Sequence, residues 1–323
     1  VCRLLGLSFY AAIQRNLPGI GPHEVIPDLN RFGFHGFLAG LKPAETIEVR
    51  HTVGMVDPIT AADQPPGTRV NDGLPETLEE VIKTYGHRYF KLKVGGDIGS
   101  DIERLSAIAA VLDRAAHQYF VTIDGNEQYA TAQAALEFWD AVRAEPRLAR
   151  LREATLFVEQ PIARQTALQT PVSAFAAVKP LIIDESDGEL DSFPQARALG
   201  YSGVSSKACK GFYKSIINKA RCTTWNVEAG SNKYFMSAED LTVHAGLSLQ
   251  QDLVLVNLIG LTHVERNGHH FIDGFAERPE KESEAFLRSH PDLYHKQHSR
   301  IRLKITNGRL AIGSLNSIGF RAT

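Results

Sequence analysis

The chain has 323 residues, 43% hydrophobic and 22% charged, with 26 glycines and 15 prolines, an ordinary globular make-up that argues against collagen-like and disordered classes. Its formal charge of −2, without a basic block, argues against a nucleic-acid backbone as the main partner. The longest apolar stretch, Leu253 to Leu261, is broken by Asn257 and is too short to span a bilayer.

The sequence opens at Val1 rather than Met, mid-pattern in VCRLLGLSFYAAI, so the expectation is a missing start; no charged-then-apolar leader is seen. Residues 1–45 read as a small helical element. From residue 46 one theme repeats: a β-rich run, a polar or Gly-bearing turn, then a helical pattern. Strands are predicted at 47–54, 88–94, 119–124, 155–159, 180–184, 202–207, 233–237 and 260–265, with amphipathic helices such as 97–116 and 130–145 between them. This alternation implies parallel βαβ units, and eight of them favour a closed α/β barrel over an open doubly wound sheet. The turn after 88–94 reads GGDIGS, not G-x-G-x-x-G, so a dinucleotide site and a nucleotide-dependent oxidoreductase have little support. Near the end, RIRLKITNGRLAIGS (300–314) predicts a hairpin turning at Asn307–Gly308. The expected fold is therefore a modified TIM (β/α) barrel at 46–298. A partial α+β cap is expected from the N-terminal segment 1–45 and a C-terminal hairpin, 299–323, returning to it. The three cysteines, Cys2, Cys209 and Cys222, fit neither a disulfide framework nor a thiolate zinc site and suit a reducing cytoplasm.

Strand alternation locates the chemistry. In YFKLKV, Phe90, Leu92 and Val94 face the helices, which leaves Lys91 and Lys93 facing the barrel interior. The same rule turns Asp124, Glu159, Asp184 and Lys207 inward at the ends of the next four strands, at spacings of 31, 35, 25 and 23 residues from Lys93 onward. A barrel's active site is built from those strand ends. Taken singly, each residue has a plain reading as a solvated lysine or a helix cap; five in register do not. Three carboxylates without Cys or His among them form a hard-oxygen set suited to Mg²⁺, with Mn²⁺ as the substitute. Buried without a cation they would repel one another. A lysine tuned by neighbouring charges can then serve as a general base, removing a proton α to a carboxylate while the metal holds the developing enediolate.

The ordered set KLKVGG (91–96), IDGN (123–126), VEQP (158–161), IIDES (182–186) and SSKACKG (205–211) resembles the enolase superfamily, in particular its muconate-lactonizing subgroup, over roughly residues 46–275. The resemblance implies Asp124, Glu159 and Asp184 as metal ligands, Lys93 as the base on one face of the substrate and Lys207 as the acid or base on the other. It implies that Lys91 makes Lys93 the better base and contacts the substrate carboxylate, and that Asn126 and Glu185 orient ligands and lysines. Lys210 resembles a recurring cation beyond Lys207, with a solvated lysine as the equal alternative. Ser237, Glu265 and His269 are candidate pocket residues, against the plain reading of His269–His270 as loop histidines. The mandelate-racemase subgroup needs a His on the seventh strand, where this chain has YFMSAED. About 45 residues precede the first strand, so the family's N-terminal meander, part of its lid, is expected to be missing.

The expected activity is an isomerase's: racemisation, epimerisation or cycloisomerisation of a small carboxylic acid. An acid-sugar-type or other dehydratase and a lid-truncated, catalytically silent metal-binding paralogue are the alternatives. The expected partner is a small carboxylate, without nucleic acid or membrane, and a homo-oligomer is compatible.

Overall fold

A computed structural model describes residues 1–114, 118–239, 245–266 and 272–320. The chain is of the α/β class, with the strand–helix repeats of a modified (β/α) barrel and a curled parallel sheet. It falls into two compact units, Arg50–Ser205 and Val1–Val49 with Ser206–Thr323, whose bounds cut across the three segments expected from sequence. No helix among the described residues is long and apolar enough to cross a membrane.

In the unit Arg50–Ser205, six strands run parallel: the second half of β1 (Thr46–Val53), β2 (Tyr89–Lys93), β3 (Phe120–Asp124), β4 (Thr155–Glu159), β5 (Leu181–Ile183) and β6 (Gly203–Ser206). In the other unit lie α1 (Cys2–Leu5), α2 (Phe9–Gln14) and α3 (Phe34–Ala39), the small helical element expected at the start. Between the parallel strands run α4 (Leu78–Tyr85), α5 (Ile98–Asp113), α6 (Ala132–Ala144), α7 (Ala149–Ala154), α8 (Arg164–Ala167), α9 (Ser173–Ala176) and α10 (Ser192–Leu199). Helix α5 starts where Asp97 accepts a hydrogen bond from the Ser100 amide at 2.9 Å, which satisfies a free first-turn donor. It buries Leu105, Ile108, Ala109 and Leu112, a helical stripe. On β2, Phe90 and Leu92 are buried as their alternation requires, and Lys91 is buried too; in a parallel sheet both faces are covered.

In the unit Val1–Val49 with Ser206–Thr323, α11 (Phe212–Ala229), β7 (Phe235–Ala238), α12 (Leu247–Leu258), β8 (His263–Glu265) and α13 (Glu280–Ser289) continue the alternation. Two strands start two or three residues later than predicted. The Asn226 side chain brackets Tyr234, accepting from its amide and donating to its carbonyl at 2.7 Å each, so β7 begins at Phe235. Gly260, at φ +74°, and Leu261 close the end of α12 through amide bonds to Asn257 and Val256, so β8 begins at His263.

The predicted C-terminal hairpin is corrected. The turn at Asn307–Gly308 forms, with Thr306 and Arg309 exchanging backbone hydrogen bonds of 2.9 and 3.0 Å. Its arms then part. β10 (Arg300–Leu303) pairs with β9 (Tyr294–Gln297) across a turn at His298–Ser299, while β11 (Arg309–Ala311) pairs antiparallel with the first half of β1. Leu310 lies in register with Ile47, both buried, and the Arg309 guanidinium donates to Glu48 at 2.5 Å. That burial outweighs what a solvated two-stranded hairpin would gain.

Candidate active site

The register of the parallel sheet sets one group of side chains in a row: Lys93 pairs with Asp124, and Asp124 with Glu159. Lys91, 1% exposed, reaches two carboxylates, its Nζ lying 3.1 Å from Asp124 Oδ2 and 3.2 Å from Glu159 Oε2. The second approach is an ion pair without the alignment of a hydrogen bond. Lys93 Nζ lies 3.7 Å from Asp124 Oδ2 and donates to Asn126 Oδ1 at 3.0 Å. Asn126 is a junction: its amide nitrogen donates to Asp124 Oδ1 at 2.8 Å and its Nδ2 to Glu185 Oε1 at 3.0 Å.

Glu159 has no exposed surface, and its Oε1 makes no hydrogen bond among the described residues. Its carboxyl is pushed up to about 7, first by burial, then by Asp124 and Asp184, against the pull of Lys91 and Arg50. The anticipated repulsion among the three acids is therefore a property of the fold, and Lys91 is its partial counter-ion.

Gln160, next to Glu159 and fully buried, fixes Asp184. Its Oε1 accepts from the amides of Asp184 and Ser186 at 2.8 and 3.2 Å, and its Nε2 donates to Ile162 O and Ser186 Oγ at 2.8 Å each. Gln160 sits at φ +34°, and Asn126 and Glu127 at +43° and +67°, in the left-handed region. Three successive contacts hold this backbone. The Gly125 and Glu127 amides donate to Glu159 O and Gln160 O at 2.8 and 2.9 Å, and Arg164 clamps the Glu127 carboxylate at 2.6 Å. A Cβ on Gly125 would stand 2.6 Å from Pro161 Cα, so only glycine admits this approach.

In the other unit, Lys207 forms an ion pair with Glu239, both largely buried. Glu239 donates its amide to Ser206 O at 3.2 Å and bridges Glu265, buried at the end of β8. Ser237, 1% exposed, shares the Glu239 face of its strand. Lys210 is half-buried in the turn after Lys207. His269 lies outside the described residues, as do His244 and His270.

Sequence reasoning missed Arg50, Gln160 and Glu239. Two had a signal: a guanidinium inside the β-rich run IEVRHTVG, and an acid two residues after Ser237 on the same strand face. Gln160 had none, because its part depends on side-chain reach to the next strand's loop.

A family model for the enolase C-terminal domain-like fold matches residues 73–280. Solved structures similar to the chain include a mandelate racemase/muconate lactonizing protein from Herpetosiphon aurantiacus (16% identity, TM-score 0.54, 84% of this chain and 63% of that one). An N-succinyl Arg/Lys racemase from Bacillus cereus ATCC 14579 gives 17% identity and TM-score 0.53 over 85% of this chain and 63% of that one. The muconate lactonizing enzyme from Pseudomonas putida gives 16% identity and TM-score 0.53 over 86% and 64%. The chain thus spans less than two thirds of the length of these three proteins, and the likeness is one of fold. No curated protein matches the sequence.

Proposed function

The chain belongs to the enolase C-terminal domain-like family, and we propose that it removes the proton α to the carboxylate of a small acid, with racemisation, epimerisation or cycloisomerisation as the outcome. The observation that carries this reading is Lys93, hydrogen-bonded to Asn126 beside Asp124, in register with the buried Glu159. In this reading Lys93 takes the proton and Lys207, paired with Glu239, serves as the second acid or base. Asn126 holds the Lys93 amine in place, and Glu185 and Gln160 hold Asn126 and Asp184.

Asp124, Glu159 and Asp184 would hold a Mg²⁺, or Mn²⁺ in its place. The buried Glu159 Oε1 without a hydrogen bond, in a set of hard oxygen donors, fits that ion. When bound, a divalent cation offsets the charge that develops on a substrate's carboxylate oxygens as an enediolate forms. Lys91, buried against Asp124 and Glu159, balances part of their charge.

The test is α-proton exchange in D₂O with Mg²⁺ across a panel of small carboxylic acids, followed by proton NMR. Deuterium uptake by at least one acid is expected, and Lys93→Ala and Lys207→Ala should each abolish its turnover. No uptake across the panel, or full activity in either variant, overturns the reading.

A further inference from the structure

In the unit Val1–Val49 with Ser206–Thr323, a cavity of about 770 Å³ opens at the start of β7 and β8, the opposite ends of those strands from Glu239 and Glu265. Its walls are the second half of α11, the loop into β7 and the turn between α12 and β8. Tyr234, Phe235 and Met236 give it an aromatic and apolar side, and Ser231, Asn232 and Thr262 give it polar groups. Among the described residues no Asp or Glu lines it.

Lys219 does line it, half-buried on α11. Among the described residues its ammonium has neither a hydrogen bond nor a carboxylate within ion-pair distance. It stands over the α12–β8 turn, 3.8 Å from where a Cβ on Gly260 would be. A half-buried cation with no carboxylate beside it would gain a charge-assisted contact from an anion seated in the cavity. The N-terminal face of a barrel is ordinarily a packed, stabilising face, so a cavity there of a size that suits small organic ligands is unusual.

We propose that this cavity binds a small organic anion, its charged group on Lys219 and its apolar or aromatic body against Tyr234, Phe235 and Met236. It is a second ligand site, independent of the proton-abstraction chemistry.

The probe is 1-anilinonaphthalene-8-sulfonate, titrated by fluorescence, with the uncharged N-phenyl-1-naphthylamine as its control. The sulfonate should bind one molecule per chain and bind more tightly than the neutral analogue. Lys219→Met should weaken the sulfonate by roughly tenfold or more, the loss of one charge-assisted contact, while Lys219→Arg keeps it. Thr223→Glu, one exposed turn along α11, should place a carboxylate on the Lys219 ammonium and weaken the sulfonate without harm to the fold, a safeguard should Lys219→Met unfold. Equal sulfonate binding by wild type and either folded variant, Lys219→Met or Thr223→Glu, overturns the proposal, as does equal affinity for the neutral analogue.

Discussion

At the scale of single residues, Glu159 is held in a state that water would not allow: fully buried, next to two other acids, with Lys91 against one of its oxygens. Lys91→Met would remove the cation that Asp124 and Glu159 share, leaving Lys93 beside the first and only the pull of Arg50 on the second. The metal-free variant should lose about 3–5 kcal/mol in urea unfolding, and saturating Mg²⁺ should restore part of it. Gln160→Ala, which releases the Asp184 amide, should weaken Mn²⁺ by about 10–100-fold when followed by the ion's paramagnetic resonance. The difference between these two residues explains what could be read beforehand. Lys91, Asp124 and Glu159 follow from strand alternation, a local rule. Gln160 acts by a hydrogen bond across 24 positions of chain, which leaves no periodic trace.

Elements obey the same division. β4 lies where its β-rich run places it, and α6 sits within one or two residues of its predicted ends, because side-chain period and capping decide both. The starts of β7 and β8 were displaced by the Asn226 bracket and the Gly260 cap, side-chain and backbone devices that override β-propensity. Partner choice was least legible: Asn307–Gly308 is a good turn signal, yet the partner of β11 is β1, some 260 positions upstream. The tight β9–β10 turn instead carries His298 and Ser299 at φ +47° and +65°. Replacing both by Asn-Gly should raise stability by about 0.5–1 kcal/mol in thermal melts. Gly125→Ala, forced against Pro161, should cost about 1–3 kcal/mol by urea unfolding.

On the scale of the whole molecule, stability carries a pH signature from α12. That helix is buried around almost its entire circumference and includes Asp252, whose carboxyl burial pushes from the usual 3.8 up to about 7. Below the usual value both folded and unfolded chains hold the proton, and the group costs nothing. As pH rises to about 7 the unfolded chain releases its proton first, so stability falls, and above that the loss is constant. Asp252→Asn should therefore melt close to wild type near pH 4 and above it at pH 8. The α/β class and the run of parallel units were legible because they repeat; the grouping of those units was not, since β1 and β6 each continue through the boundary between them. That grouping has a consequence for biosynthesis. Arg50–Ser205 is one unbroken stretch, whereas the other unit needs both Val1–Val49 and everything from Ser206 onward. A ribosome delivers the first of these stretches before the second, so the nascent Ile47, whose partner in register is Leu310, must wait, its apolar surface open to chaperones, until translation has passed the whole intervening stretch.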